Sequence, residues 1–360
     1  YYMFGVMFRE DAKRDPSRAA LAAQAFAESA KYPTEPLNAL AREQAGSAAP
    51  PVQANAVATR PAAPATRPPT GAIAAVPTPP PVTATPPATS AAASSSEYPF
   101  VAGAPQAAAY AVVIGVETYR DLPRATGARG DATKIAALLR KTLGLREDHV
   151  RVAVDDRATR TDIIKHLAWL KQNVKAGGRA YVYFSGHGAP DAASGTAYVL
   201  PYDGDPKFVS STALSLDEIV KTVGESKAQD ALVILDSCFS GAGGRSQLAP
   251  GTRPLMRVKE ASVAPKVAVL SASAASEISG STPGGTEGLF THHLTDALGK
   301  ALADTDGDGQ VSLHELLEWV KPRVAREAKR DNRDQTPELK LGAGLRAASD
   351  FIVGYGFATR

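Results

Sequence analysis

The chain has 360 residues, of which 44% are hydrophobic, so it can form one or two domains with a packed core. Its formal net charge is only +3, and basic residues alternate with acidic ones, as between Arg326 and Asp331. This pattern lacks the concentrated basic stripe that nucleic-acid binding needs. No apolar run reaches the roughly 18 residues that span a bilayer. The single cysteine, Cys238, excludes an intramolecular disulfide. The compartment, cytoplasm or cell envelope, stays open.

The first third of the sequence differs in texture from the rest. Residues 1–46 are rich in alanine, and Pro16 to Tyr32 are predicted to form a helix capped by Asp15. Residues 47–105 are dense in Pro, Ala, Thr and Ser, which cannot bury enough apolar surface to offset the entropy of ordering. We therefore predict an N-terminal segment of unknown function (1–46), a disordered Pro/Ala-rich linker (47–105) and a folded domain (106–360).

Short apolar runs alternate with helical patterns after Tyr110. Strands buried on both faces are predicted at Tyr110–Val116, Val150–Val154, Ala180–Phe184, Ala231–Leu235, Val267–Leu270 and Phe351–Val353. Helices are predicted at Asp131–Leu143, Thr161–Val174, Leu216–Val223, Gly288–Leu302 and Ser312–Lys329. This order predicts an α/β domain with three layers, α/β/α, around a mostly parallel sheet of about six strands.

Polar residues follow two neighbouring strands of the predicted sheet, where ligands bind in folds of this kind. His187 follows the third strand and Cys238 follows the fourth, each in a turn of Gly and Ser. A thiolate attacks a carbonyl far better than a thiol does, and His187 could activate Cys238 as a base. The N–H groups of Gly188 and Cys238 could then bind the oxyanion. Either residue alone is more often structural, and the combination is what predicts a catalytic dyad.

The segments Tyr183–Gly188 and Leu235–Gly241 resemble the two catalytic motifs of the caspase and metacaspase family of cysteine peptidases, particularly its bacterial members. The two motif residues are 51 positions apart, close to the spacing of about 50 in caspases. Further similarities lie at Gly127–Ala132, Gly288–Thr291 and Gln335–Pro337, and the resemblance covers residues 108–356.

The resemblance implies a sheet of order 2-1-3-4-5-6 with the last strand antiparallel, and hydrolysis of a protein or peptide substrate through an acyl-enzyme. Cys238 would be the nucleophile and His187 the base. Asp131, Ser185 and Asp236 match the metacaspase pocket for the residue before the cut bond, which implies cleavage after Arg, then Lys, and little after Asp. Two alternatives stay open. Arg129 could neutralise an acid or receive an anionic side chain, or Asp131 could cap its helix while Asp236 orients a loop.

The resemblance also has departures. Asp236–Gly241 replaces the caspase Gln-Ala-Cys pentapeptide, and Arg245 stands where calcium-dependent metacaspases carry an Asp. Family members often cut themselves in the linker that corresponds to residues 242–265, where Arg245, Arg253, Arg257 and Lys259 are the candidates.

A second constellation lies at residues 304–315, which fit the EF-hand loop pattern at every position. The oxygens that would bind Ca²⁺ belong to Asp304, Asp306, Asp308, Gln310 and Glu315. The alternative is an acidic turn that caps the helix at Ser312. A Cys–His mechanism requires no cofactor, so Ca²⁺ is the one candidate ion.

Three functions are therefore compatible with the sequence. The first is a cysteine endopeptidase, the second a non-proteolytic caspase-like scaffold that acts through its Pro-rich arm, and the third a calcium-sensing binding protein. The chain keeps both His187 and Cys238, which favours the enzyme.

Overall fold

A computed structural model describes residues 98–191, 193–239 and 262–355 of the chain. The segment 1–46 and most of the predicted linker lie outside these residues. The last part of that linker, 98–105, packs on the domain. Phe100 is buried, and the Val101 N–H donates to the Gly299 carbonyl at 2.7 Å. The packed region therefore includes eight residues that composition had placed in the linker.

A six-stranded sheet forms the centre of the domain. Its strands are β1 (Tyr110–Gly115), β2 (Val150–Val154), β3 (Arg179–Ser185), β7 (Asp230–Asp236), β8 (Val267–Ser271) and β10 (Glu338–Leu341). Their order across the sheet is β2-β1-β3-β7-β8-β10, with five parallel strands and an antiparallel β10. The predicted order and the antiparallel last strand are confirmed. Burial on both faces explains why the parallel strands are apolar without alternation.

In the part of the chain that the structure describes, six α-helices accompany the sheet. They are α1 (Ala128–Lys141), α2 (Arg160–Asn173), α3 (Val209–Thr212), α4 (Leu216–Gly224), α5 (Leu289–Gly299) and α6 (Leu313–Arg330). Alternate residues of β1 point to opposite layers. Val113 belongs to the core cluster that includes residues of α1, α5 and α6, whereas Val112 belongs to the cluster that includes residues of α2 and α4. The three-layer prediction is therefore confirmed. Among the described residues, no helix is both long and apolar enough to cross a membrane.

The predicted sixth strand, Phe351–Val353, was the wrong segment. The sixth strand of the sheet is β10, whereas β11 (Ile352–Tyr355) pairs antiparallel with β9 (Gln310–Ser312) in a separate two-stranded sheet. Strand β10 reads Glu-Leu-Lys-Leu and is half-buried along its whole length. An edge strand of this kind has no continuous apolar run, so the search for buried strands passed over it.

A small sheet of three strands was also missed. It comprises β4 (Gly188–Pro190), β5 (Ala197–Val199) and β6 (Leu214–Ser215). Each strand has at most three residues, which is too short for a periodic pattern. This sheet begins directly at the histidine motif and therefore shapes the candidate site.

Candidate active site

The two strand-end motifs lie side by side at the carboxyl edge of the central sheet. Strands β3 and β7 are parallel neighbours whose register pairs Ser185 with Asp236. The Gly186 N–H donates to the Asp236 carbonyl at 3.4 Å. His187 and Cys238 follow these positions, and both are buried. The structure thus brings together the two backbone turns that carry the predicted dyad.

His187 is held by the loop that follows β1. Its Nε2 lies 2.8 Å from the Pro123 carbonyl oxygen. A carbonyl can only accept, so we assign the ring hydrogen to Nε2, which leaves Nδ1 as the basic nitrogen of the neutral ring. The His187 backbone N–H donates to the Tyr119 hydroxyl oxygen at 2.6 Å, and the two rings lie 4.8 Å apart. Sequence reasoning missed both partners.

Asp155 fixes the conformation of this loop. Its Oδ1 accepts the backbone N–H groups of Glu117 at 2.8 Å and Thr118 at 2.9 Å. Arg129 contacts the same carboxylate. Arg129 therefore has Asp155 as its partner in the loop. The sequence had left open whether Arg129 neutralises an acid of the predicted pocket.

Ser279 contacts the cysteine and was also missed by sequence reasoning. Its backbone N–H donates to Cys238 Sγ at 2.7 Å, and the thiol donates to the Ser279 carbonyl at 3.1 Å. Ser279 lies on the loop after β8, 41 residues from Cys238. No local motif signals such a contact.

The N–H of Gly188 lies at a favourable position of the small sheet. Gly188 pairs with Val199, and the Leu200 N–H donates to the His187 carbonyl at 2.9 Å. This makes Gly188 and Val199 a non-hydrogen-bonded pair, in which strand pairing does not use the Gly188 N–H. The Gly188 backbone also lies against Cys238, since a Cβ built on it would meet the Cys238 carbonyl oxygen at 2.5 Å.

The three predicted pocket residues lie together, and none of them is exposed. The Ser185 hydroxyl donates to Asp131 Oδ2 at 2.9 Å, and the Gly288 N–H donates to Asp131 Oδ1 at 3.0 Å. Asp236 accepts from the Ser279 hydroxyl at 2.8 Å, and from the Thr291 N–H at 3.2 Å and hydroxyl at 2.6 Å.

These bonds also bear on the two alternative roles. The N-cap of α1 is Gly127, and Asp131 lies inside the first turn with its carboxylate bonded elsewhere. The Asp131 side chain therefore does not cap helix α1. Asp236 does accept a hydrogen bond from the loop residue Ser279, which agrees with the alternative that Asp236 orients a loop.

The acidic loop 304–315 holds some of its predicted calcium ligands close together. Carboxylate oxygens of Asp304, Asp306 and Glu315 lie within 4.8 Å of one another. The side chain of Asp308 instead accepts the Gln310 N–H at 2.7 Å. The structure therefore brings together three of the five predicted calcium ligands.

Glu315 also forms a capping box with Ser312 at the start of α6. Burial raises the pKa of its carboxyl group, but hydrogen bonds from Ser312 and Thr305 lower it more, so the net shift is downward. Glu315 is therefore ionised and caps helix α6, as the alternative interpretation of the loop expects. The same carboxylate is also one of the three grouped calcium-ligand candidates.

The candidate self-cleavage positions Arg245, Arg253, Arg257 and Lys259 lie outside the described residues. Of the segment 242–265, only 262–265 belongs to the described part of the chain. Self-cleavage therefore stays a prediction.

One comparison with known proteins identifies a family. The sequence profile of a family described as the caspase domain matches residues 108–343, more than half of the chain. No curated protein matches. Solved structures with a related fold include a protein from Geobacter sulfurreducens, at 18% identity and a TM-score of 0.49, covering 67% of this chain and 96% of that one.

Two caspases also align with the chain. Caspase-1 from Spodoptera frugiperda has 15% identity and a TM-score of 0.44, covering 68% of this chain and 90% of that one. The Drosophila initiator caspase Dronc has 13% identity and a TM-score of 0.47, covering 72% and 88%. These structural similarities are too low to carry an argument of their own, so the family assignment depends on the profile.

Proposed function

Because this chain belongs to the caspase family, whose profile matches residues 108–343, we propose that it is a cysteine endopeptidase with Cys238 as nucleophile and His187 as base. The observation that carries the proposal is the register of β3 and β7, which aligns Ser185 with Asp236 and so sets the two motif turns side by side. The Nε2 contact with Pro123 supports the same assignment, since it assigns the ring hydrogen to Nε2 and makes Nδ1 the basic nitrogen of the neutral ring.

The proposed reaction has two stages. His187 Nδ1 takes the proton of the Cys238 thiol, and the thiolate attacks the scissile carbonyl carbon. The oxyanion accepts hydrogen bonds from the N–H groups of Gly188 and Cys238. The leaving amine takes the proton from His187 and departs, which leaves an acyl-enzyme. Water, deprotonated by His187, then hydrolyses the thioester and restores the thiol.

Substitution of either dyad residue tests this proposal. Cys238→Ala and His187→Ala should each lower the cleavage of a fluorogenic peptide library by at least ~10³-fold, as expected when a group of a catalytic unit is removed. Circular dichroism and thermal unfolding should show that both variants remain folded. Near-normal turnover by Cys238→Ala would contradict the mechanism. If the wild-type chain cuts no peptide at all, the non-proteolytic scaffold becomes the better hypothesis.

We also propose that the pocket of Asp131, Ser185 and Asp236 selects a basic residue before the cut bond. Two buried carboxylates in a confined space favour a cation, and charge-assisted hydrogen bonds to a guanidinium are strong. Arg should be preferred over Lys, and Asp should be a poor residue at this position.

Three fluorogenic peptides that differ only in Arg, Lys or Asp before the cut bond test the preference. Asp236→Ala should cost basic substrates up to about 3–5 kcal/mol, the penalty for removing one partner of a buried charge pair. Asp148→Ala is the matched control, because this carboxylate is exposed and pairs only with Arg146 among the contacts described. A preference for Asp would reject the basic pocket and leave the Cys–His chemistry standing.

A second proposal concerns the acidic loop, which we propose binds one Ca²⁺ ion through Asp304, Asp306, Asp308, Gln310 and Glu315. The grouping of three carboxylates within 4.8 Å supports it, as does the preference of Ca²⁺ for several oxygen ligands. The activity itself requires no cofactor in this proposal.

A further inference from the structure

Ser279 contacts both the proposed nucleophile and the proposed pocket acid. Its backbone N–H donates to Cys238 Sγ at 2.7 Å, and its hydroxyl donates to Asp236 Oδ1 at 2.8 Å. None of the three residues has exposed surface. A sulfur with a backbone nitrogen at 2.7 Å has no room for a substrate carbonyl on that side. One residue therefore covers the nucleophile and occupies the pocket carboxylate at the same time.

The contacts of Ser279 with Cys238 and with Asp236 are those of a site that holds no substrate. The thiol donates to the Ser279 carbonyl at 3.1 Å, a hydrogen bond that only the protonated thiol can make. Asp236 is engaged at both oxygens, by Ser279 on Oδ1 and by Thr291 on Oδ2. A guanidinium binds a carboxylate through two parallel N–H donors. The Thr291 donors belong to helix α5, so the Ser279 hydroxyl is the donor on a loop with which a guanidinium would compete.

The loop that carries Ser279 is anchored on either side of it. The buried Gln335 side chain donates to the Ala272 carbonyl at 3.2 Å and accepts the Gly280 N–H at 3.0 Å. The Glu277 carboxylate accepts the Thr336 hydroxyl at 2.9 Å. Ser279 thus lies on a short span between fixed points. Its backbone N–H and carbonyl both contact Cys238 Sγ, so a shift of the whole residue would release the sulfur.

We propose that Ser279 is a latch that a basic substrate side chain opens. The cation that enters between Asp131 and Asp236 displaces the Ser279 hydroxyl, and the same movement withdraws the Ser279 backbone from Cys238. Binding of the correct side chain is thereby coupled to exposure of the nucleophile, which makes Ser279 a specificity-determining residue. The inference rests on the proposed function, since it takes Cys238 as nucleophile and Asp236 as pocket acid.

The single cysteine allows a direct test that does not depend on peptide cleavage. Cys238 is the only thiol in the chain, so the rate of alkylation by iodoacetamide, followed by intact mass, reports its exposure. Ser279→Ala removes the bond to Asp236 and should be labelled about fivefold faster than wild type, the factor that corresponds to one net hydrogen bond. Ser276→Ala is the matched control, because Ser276 is exposed on the same loop, and its rate should equal that of wild type.

A ligand that fills only the pocket tests the coupling. Propylguanidine should accelerate the labelling of wild-type Cys238, whereas its neutral analogue propylurea should not. The acceleration should be small in Ser279→Ala, which is already open, and lost in Asp236→Asn. Thermal unfolding curves confirm that each variant is folded before its rate is compared.

The outcomes separate the latch from the peptidase. Equal labelling of Ser279→Ala and wild type, or labelling of wild type that propylguanidine leaves unchanged or slows, overturns the latch even if Arg peptides are cut. If the labelling rates change as expected but the wild-type chain cuts no peptide, the latch hypothesis is kept and the peptidase hypothesis is rejected.

Discussion

At the scale of single residues, Gly188 shows how closely the two motif turns approach. A Cβ at this position would lie 2.5 Å from the Cys238 carbonyl oxygen and 2.8 Å from the Phe239 ring. Both neighbours are buried, and the first is backbone, which cannot rotate away. Only glycine therefore fits between the histidine turn and the cysteine turn.

Gly188→Ala should lower both stability and turnover. Overpacking in a buried site costs about 1–3 kcal/mol, and a shifted Gly188 N–H would leave the proposed oxyanion hole. Chemical denaturation and kcat/KM for an Arg peptide measure the two effects. Gly130→Ala is the matched control, since a Cβ there meets nothing within 4 Å and the residue lies inside α1. The control should gain up to about 1 kcal/mol of stability from helix propensity. Unchanged kcat/KM in Gly188→Ala would contradict this account.

At the scale of elements, helix α5 carries two adjacent histidines whose pKa values shift in opposite directions. A hydrogen bond to the Glu287 carboxylate raises the pKa of His292, with the carboxylate oxygen 3.1 Å from Nδ1. Burial lowers the pKa of His293, and its contact with Glu327 opposes that shift only in part. His292 therefore favours the charged form in the folded state, and His293 favours the neutral form.

The two histidines should give the domain a stability maximum near pH 6.5, the ordinary pKa of a histidine. A raised pKa in the folded state means that the stabilisation by His292 is full below pH 6.5 and is lost as the pH rises through its folded pKa. A lowered pKa means that stability falls as the pH drops from 6.5 through the folded pKa of His293. Urea denaturation between pH 5 and 8 measures both slopes.

Single substitutions show which histidine causes each of the two slopes of stability against pH. In His292→Gln the loss of stability above pH 6.5 should shrink. In His293→Gln the loss below pH 6.5 should shrink, although burial also lowers the pKa of His166 and leaves part of that slope in place. Slopes that are identical in both variants and in wild type would contradict the assignment.

The acidic loop between α5 and α6 is the second element with a testable role. Isothermal titration with Ca²⁺ should give binding heat for the wild-type chain, and Asp304→Ala and Glu315→Gln should abolish it. Glu315→Gln also weakens the capping box of α6, so Asp304→Ala is the cleaner variant. Equal heats from all three proteins would remove this loop from consideration as a calcium site.

At the scale of the whole molecule, the chain between the cysteine turn and β8 is the predicted place of self-cleavage. This segment carries Arg245, Arg253, Arg257 and Lys259, the residue types that the proposed pocket would select. Mass spectrometry of the incubated wild-type protein should show cuts after these residues, and Cys238→Ala should show none.

Mixing wild type with Cys238→Ala then distinguishes cleavage within one chain from cleavage between chains. Cuts in the inactive variant require a second molecule, whereas an uncut variant beside a cut wild type indicates intramolecular cleavage. A wild-type chain that stays intact after long incubation would count against self-processing.

The sequence by itself determined the buried strands, the five longer helices and the two turns of the candidate dyad. Apolar periodicity located α1, α2, α4, α5 and α6 within about three residues of their observed ends, because each helix buries one face. Helices α2, α4 and α6 also begin at a Thr or Ser cap. Strand β10 was missed because an edge strand is half-exposed and carries no apolar run.

Only the tertiary structure decided what surrounds the dyad residues. Pro123 is 64 positions from His187, and Ser279 is 41 positions from Cys238. Their contacts arise because parallel strands collect the loops after β1, β3, β7 and β8 at one edge of the sheet. Hydrophobic patterning specifies which residues enter a strand, but it does not specify which loop residue reaches a given atom across that edge. For this reason the proposed nucleophile and base were visible in the sequence, whereas the residue that covers the sulfur was not.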